Sequence, residues 1–191
     1  MATNLLIPFI TPEEYLEHER DAEFRSEYLS GVIYEMQGAT EKHSRIAMNL
    51  GAELSFAIRS KGCEVYSQSL AVHIPNPLSY VYPDVMVICG KPVFSDAFKD
   101  SVTNPVLVIE IISPSTEGRD RGEKFRRYRR IPTLQEYVLV SPQEPLVERY
   151  QREQDTFSRV DMIEGWDATL NLASLGLSIP LAVIYRGHEI V

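Results

Sequence analysis

The chain alternates short β-branched runs with one long amphipathic stripe. Residues 106–112 (Val-Leu-Val-Ile-Glu-Ile-Ile) are apolar except for Glu110, and residues 81–88 (Val-Tyr-Pro-Asp-Val-Met-Val-Ile) carry a single acid, Asp84. Runs this rich in Val and Ile predict strands of a sheet covered on both faces. In residues 39–61, Ile46, Leu50, Leu54 and Ile58 recur every fourth position, which predicts an amphipathic helix that Gly62 stops. A first helix is expected at Thr11-Pro12-Glu13-Glu14, with Thr as N-cap, Pro in the first turn and acids near the positive end of the dipole. Residues 27–36, with Ser30-Gly31 in the middle, read as a hairpin. Residues 64–74 read as a strand, and residues 80–89 as another after the break at Pro75-Asn76-Pro77. Residues 90–104 read as a loop. Residues 120–130 form a helix and 135–141 a strand, so the unit from residue 106 to 141 is a parallel crossover. An antiparallel pair at 146–152 and 157–163 and an edge segment at 175–180 complete a mixed α+β fold.

With 191 residues, the chain is expected to be one domain spanning 1–191. No apolar run approaches the roughly 20 residues of a membrane helix, and residues 1–8 lack the basic start and long apolar stretch of a signal peptide. The two cysteines, Cys63 and Cys89, have neither metal nor redox spacing, so a cytoplasmic protein is expected.

The net charge of −8 argues against a general wrap-around DNA binder. The charge is uneven, however. Arg119, Arg121, Lys124, Arg126, Arg127, Arg129 and Arg130 crowd one stretch that holds only two acids, Asp120 and Glu123. That run is either a solvated helix face or a local phosphate-facing patch.

A carboxylate on a core strand loses hydration and needs a cation or hydrogen-bond donors in compensation. Two such acids, Asp84 and Glu110, point to a shared hard cation, Mg²⁺ or Mn²⁺. An ion of this kind polarises a phosphoryl oxygen and lowers the pKa of bound water. Lys124, on the helix packed back over the Glu110 strand, can orient the attacking water or balance charge on the phosphorane. Without a cation the two acids repel, so Asp84→Asn is expected to leave the fold as stable or more stable.

Pro83-Asp84, Glu110-Ile111-Ile112-Ser113-Pro114-Ser115-Thr116, Arg119-Asp120-Arg121-Gly122-Glu123-Lys124 and Tyr128-Arg129-Arg130-Ile131-Pro132, in this order, closely resemble a large bacterial family of restriction-endonuclease-like proteins within the PD-(D/E)XK nuclease superfamily. The resemblance covers nearly the whole chain. It implies a restriction-endonuclease-like core with Asp84 and Glu110 as Mg²⁺ ligands. The superfamily pattern has a lysine two residues after the glutamate, where this chain has Ile112; Lys124 on the following helix fits the migrated position. Glu27 corresponds to the early acidic residue that such nucleases often add near the metal. Arg121, Arg127 and Arg130 are the expected nucleic-acid contacts, with DNA the expected substrate, and a homodimer would let two sites face two strands.

The remaining candidates read as structural. His43 reads as a surface or capping residue, and His18, His73 and His188 have no partners at ligand spacing. Tyr128 reads as packing. Ser113 and Ser115 read as turn-shaping residues, since no nucleophile elbow surrounds them. Two further readings stay open: a non-catalytic interaction protein on a degenerate nuclease fold, and a hydrolase of small phosphate esters.

Overall fold

The structure, a computed structural model, describes residues 9–36 and 38–188. The segment 1–8, read above for signal-peptide features, lies outside the described residues.

Helix α1 (Pro12–Asp21) starts on the expected Thr11 N-cap: the Thr11 hydroxyl accepts from Glu14 N, and the Glu14 carboxylate accepts from Thr11 N at 2.7 Å. Strands β1 (Ser26–Leu29) and β2 (Val32–Glu35) form the hairpin. Its two-residue turn, Ser30-Gly31, has positive φ at both positions, the twist that matches paired strands. Helix α2 (Glu41–Ile58) buries Ile46, Leu50, Leu54 and Ile58, so the four-residue spacing marks its core face.

The region 63–89 departs from expectation. The run 64–74 is two strands in two different sheets, β3 (Cys63–Ser67) and β4 (Ala71–Pro75). Likewise the run 80–89 splits into β5 (Leu78–Val81) and β6 (Val85–Cys89). Pro83 has no N–H to continue a ladder, and the chain crosses from one sheet to the other there. Asp84 therefore sits at a sheet-to-sheet crossing instead of inside a strand. The predicted loop 90–104 contains a two-residue strand, β7 (Ser101–Val102).

β8 (Leu107–Ile111) is buried at every position and pairs in parallel with β9 (Glu136–Val140), as the crossover reading requires. Between them the chain makes one helical run: α3 (Glu117–Arg119), a π-helical turn at Asp120–Lys124, and α4 (Phe125–Tyr128). β10 (Leu146–Glu153) and β11 (Thr156–Glu164) form the expected antiparallel pair. The segment at 175–180 is not an edge of the main sheet. β12 (Thr169–Leu172) and β13 (Leu177–Pro180) make a separate two-stranded sheet, followed by α5 (Leu181–Ile184).

The main sheet has the order β11-β10-β9-β8-β6-β3, and the second sheet β2-β1-β5-β4-β7. Alternation sorts the central strands. Val85, Val87, Leu107, Ile109, Ile111, Val138 and Val140 pack towards α2 and the C-terminal hairpin. Met86, Ile88, Val108, Tyr137 and Leu139 pack on the other side with Tyr128 and residues of the second sheet. Glu110, between Ile109 and Ile111, falls on that second side.

Cys63 and Cys89 face each other across β3 and β6 and form a disulfide. Their separation of 26 residues carries no spacing motif, and only strand pairing opposes them. The cysteines thus give no support to a reducing compartment. Among the described residues, no helix is long and apolar enough to cross a membrane.

Candidate active site

The acids meet where the two sheets and the helical run converge. Val85 pairs with Ile109 in antiparallel register, so Asp84 lies alongside Glu110 at the next step. The Ile111 amide donates to Asp84 Oδ2 at 2.7 Å, and Gln68, in the turn after β3, donates to Oδ1 at 2.7 Å. His43, in the first turn of α2, places Nε2 3.1 Å from Oδ2. Burial pushes the Asp84 carboxyl up, but His43, the Ile111 amide and Gln68 together hold it below its ordinary value. His43 responds in the opposite sense: burial pulls its pKa down, and Asp84, helped by the Ile111 backbone and the Asp120 charge, raises it above its ordinary value.

Lys124 occupies the centre of the second half. Its Nζ lies 2.8 Å from Glu27 Oε1, 2.8 Å from Glu110 Oε1 and 3.4 Å from Asp120 Oδ1, and all four side chains are buried. The π turn carries Asp120 and Lys124 together, a local device often found where a helix presents functional groups. Tyr128 donates its hydroxyl to Glu110 Oε1 at 2.9 Å, and the Tyr82 amide donates to Glu27 Oε1 at 3.2 Å. Burial works against the Lys124 ammonium, yet Glu110 and Glu27 outweigh it and the group stays charged. Glu110 is pushed well above its usual range: burial is the main cause, Lys124 opposes it, and Asp120, Asp84 and Glu27 add to it.

This cluster has more negative than positive charge. A hard divalent cation fits that imbalance, and the oxygen donors of Asp84 and Glu110 suit it. Among the described residues no three His, Cys, Asp or Glu side chains converge as a complete coordination shell; Lys124 fills the space between Glu27 and Glu110. Mg²⁺ does not need such a shell, since it keeps several of its waters.

The structure brings together Glu27, Asp84, Glu110 and Lys124 as sequence reasoning grouped them. It corrects four other readings. His43 is not a plain surface or capping residue but a partner of Asp84. Tyr128 packs, and also bonds Glu110. Arg127 is buried, and its guanidinium donates to Ser30, Ser79 and Glu123, so it ties the helical run to the second sheet and is not free for nucleic acid. Arg121 is paired with Glu117 and Glu148. Arg130 is exposed. Three donors converge on the Asp84 carboxylate, so the geometry argues for destabilisation by Asp84→Asn, against the sequence expectation. Gln68, Asp120 and Arg119 are site residues that the sequence reading does not pick out; the four-residue spacing of Asp120 and Lys124, one helical turn, is the signal that could have found one of them.

Other buried acids are compensated by neutral or cationic donors and read as structural. Glu19 accepts from Ser26 N, Ser26 Oγ and Tyr82. Glu136 accepts from Arg149 and from the amides of Ala173 and Ser174. A groove of about 470 Å³ is lined by Ala47, Gly51 and Ser55 of α2, Val65 of β3, and Asp84.

Residues 12–182 match the model of the Uma2 family, described as "Putative restriction endonuclease". The chain belongs to the Uma2 family. Two Synechocystis sp. (strain ATCC 27184 / PCC 6803 / Kazusa) proteins are similar along most of its length. The "Uncharacterized protein slr1290" is 38% identical over 181 residues, which cover 94% of this chain and 93% of the relative. The "Uncharacterized protein sll1609" is 40% identical over 143 residues, covering 75% and 81%. The crystal structure of "a putative nuclease belonging to DUF820" from Anabaena variabilis ATCC 29413 is similar with a TM-score of 0.75 at 19% identity, over 92% of this chain and 97% of that one. At that identity the likeness is one of fold. The Uma2 chain thus has the mixed α+β architecture of its nuclease-like neighbour.

Proposed function

We propose that the protein is a divalent-metal-dependent nuclease that hydrolyses phosphodiester bonds, with DNA as the first candidate substrate. The observation that carries this reading is Lys124 Nζ at 2.8 Å from both Glu27 and Glu110, with Asp84 immediately before the neighbouring strand β6. Membership of a restriction-endonuclease-like family supports it. Asp84 and Glu110 would hold Mg²⁺ or Mn²⁺, which supplies polarisation of a phosphoryl oxygen and acidification of bound water.

The chain's own groups have separable tasks. His43, Gln68 and the Ile111 amide fix the Asp84 carboxylate. Tyr128 fixes Glu110. Lys124, held by three acids, positions the water and balances charge developing on the phosphoryl oxygens. A homodimer would supply a second site for the opposite strand, and a cytoplasmic location would give access to DNA.

The test is a cleavage assay with Mg²⁺ and Mn²⁺ on double-stranded DNA, single-stranded DNA and RNA, beside Glu110→Ala. Metal-dependent cleavage that Glu110→Ala abolishes is the expected result. A wild-type protein that binds nucleic acid with both ions present and cleaves none of the three would leave a non-catalytic binder on a nuclease fold.

A further inference from the structure

The seven cations of the basic run have different fates. Lys124 is enclosed by acids, Arg121 is bound to Glu117 and Glu148, and Arg127 to Ser30, Ser79 and Glu123. Arg126, Arg129 and Arg130 face solvent. Arg119 belongs to neither group. Its Nε lies 3.9 Å from Glu27 Oε2, and its guanidinium carbon sits 4.3 Å from the centroid of the Tyr34 ring. Among the described residues its side chain makes no hydrogen bond, its Nε is buried without a partner, and the side chain is 22% exposed.

We infer that Arg119 receives a backbone phosphate of the substrate at the rim of the acid cluster, an inference that rests on the nuclease reading above. The hairpin prepares it. Glu27 and Tyr34 are paired across β1 and β2, so one face of the hairpin presents an acid and a ring together. Tyr34 covers a face of the guanidinium, the N–H donors lie in its plane, and 22% of the side chain is open to solvent although Nε is buried. Glu27 takes its short contact from Lys124 at 2.8 Å, whereas Arg119 stands beyond hydrogen-bond reach of it at 3.9 Å.

A phosphodiester approaching Glu27, Asp84, Glu110 and Asp120 meets like charge. A cation at the rim, held in place before the ligand arrives, offsets that repulsion. The forked guanidinium suits an oxyanion with two acceptor atoms. Among the described residues the terminal guanidinium nitrogens make no hydrogen bond and are not among the buried unpartnered atoms, so a phosphate oxygen would meet donors with no competing partner.

The experiment separates this assignment from the nuclease reading. Binding of a fluorescent DNA duplex and a single strand is followed by anisotropy over a KCl series, in a Glu110→Gln background so that no cleavage intervenes. Arg119, Arg119→Lys and Arg119→Gln are compared there, and steady-state cleavage is compared with Glu110 intact. Arg119→Gln should flatten the salt dependence by about one unit of slope. It should also lower kcat/KM about 10- to 100-fold, the loss of one charge-assisted contact. Arg119→Lys should restore the slope and only part of the turnover, since an ammonium lacks the fork.

Slope and kcat/KM unchanged in Arg119→Gln overturn the assignment while leaving the nuclease reading in place. A protein that binds without cleaving, yet loses slope in Arg119→Gln, keeps the phosphate contact and removes the catalytic reading. A protein that neither binds nor cleaves removes both. Should Arg119→Gln melt early, Tyr34→Leu takes its place: it removes the platform and leaves the Glu27–Lys124 contact, and an unchanged KM overturns the assignment.

Discussion

Lys124 Nζ lies 2.8 Å from Glu110 Oε1, with both side chains buried. The contact joins a helical π turn to a central strand, and it leaves Glu110 dependent on a single ammonium. Lys124→Ala would strand Glu27, Glu110 and Asp120 without it. Removing one partner of a buried ion pair costs about 3–5 kcal/mol. Urea unfolding of the metal-free protein should show a loss of that size, and turnover should vanish with nucleic-acid affinity little changed. Full stability in Lys124→Ala would mean that the acids are neutral in the folded protein.

Glu110→Gln should behave in the opposite way without metal. The folded-state pKa of Glu110 is raised, chiefly by burial, so its contribution to stability is fully present below the unfolded value. That contribution is lost as pH rises through the raised folded pKa. At neutral pH the metal-free Gln variant should therefore match or exceed the parent in melting temperature. Mg²⁺ or Mn²⁺ should raise the Tm of the parent and not that of Glu110→Gln. An equal rise in both proteins would place the ion elsewhere.

Asp84→Asn carries the reverse sign. The Asp84 pKa is held down by His43, the Ile111 amide and Gln68 against burial. Its stabilisation is present above the unfolded pKa and lost as pH falls from there through the lowered folded pKa. Replacing the carboxylate turns one acceptor into a donor facing donors, at a cost of about 1–3 kcal/mol. The acid limb of a stability–pH profile should shift in Asp84→Asn; a superimposable profile would refute this.

Arg127 and the exposed arginines should separate cleanly. Arg127→Ala removes the buried donor to Ser79 Oγ, which keeps only its bond to the Pro77 carbonyl, and cuts the tie between the helical run and the second sheet. A loss of about 1–3 kcal/mol is expected, with the salt slope of binding unchanged. Replacing Arg126, Arg129 and Arg130 together should do the converse, lowering the slope with no change in the urea midpoint. Equal slopes in both proteins would make the run a solvated face.

The Cys63–Cys89 disulfide ties edge strand β3 to β6. Closing a loop of this length stabilises by about 3 kcal/mol. Thiol titration of the unfolded, unreduced protein should find no free thiol, and Cys63→Ser with Cys89→Ser should lower the urea midpoint. Two titratable thiols in the purified protein would contradict the pairing.

Much of this was legible along the chain. The spacing of Ile46, Leu50, Leu54 and Ile58 marks a helix face because a helix turns about 100° per residue, and burying that face is what makes the helix. Glu110 stands out because an acid in a β-branched run must be compensated. Ser30-Gly31 dictates its turn by backbone geometry. The helix period and the turn are local constraints set within a few residues; the demand of Glu110 is also visible locally, although Lys124 and Tyr128 meet it from the following helical run.

Other features depend on groups that are distant in sequence. His43 reaches Asp84 only because α2 packs beside the point where the chain changes sheets. Gln68 does so because β3 is an edge strand ending there. Arg119, Arg121 and Arg127 look alike in a basic run, yet a ring, two acids and two serines give them different surroundings. Residue type and spacing decided the helix, the hairpin and the acids that need a cation. Which cations stayed free, and which were consumed in holding the fold, was decided by tertiary packing, because a charge's role depends on what lies within a few ångströms of it.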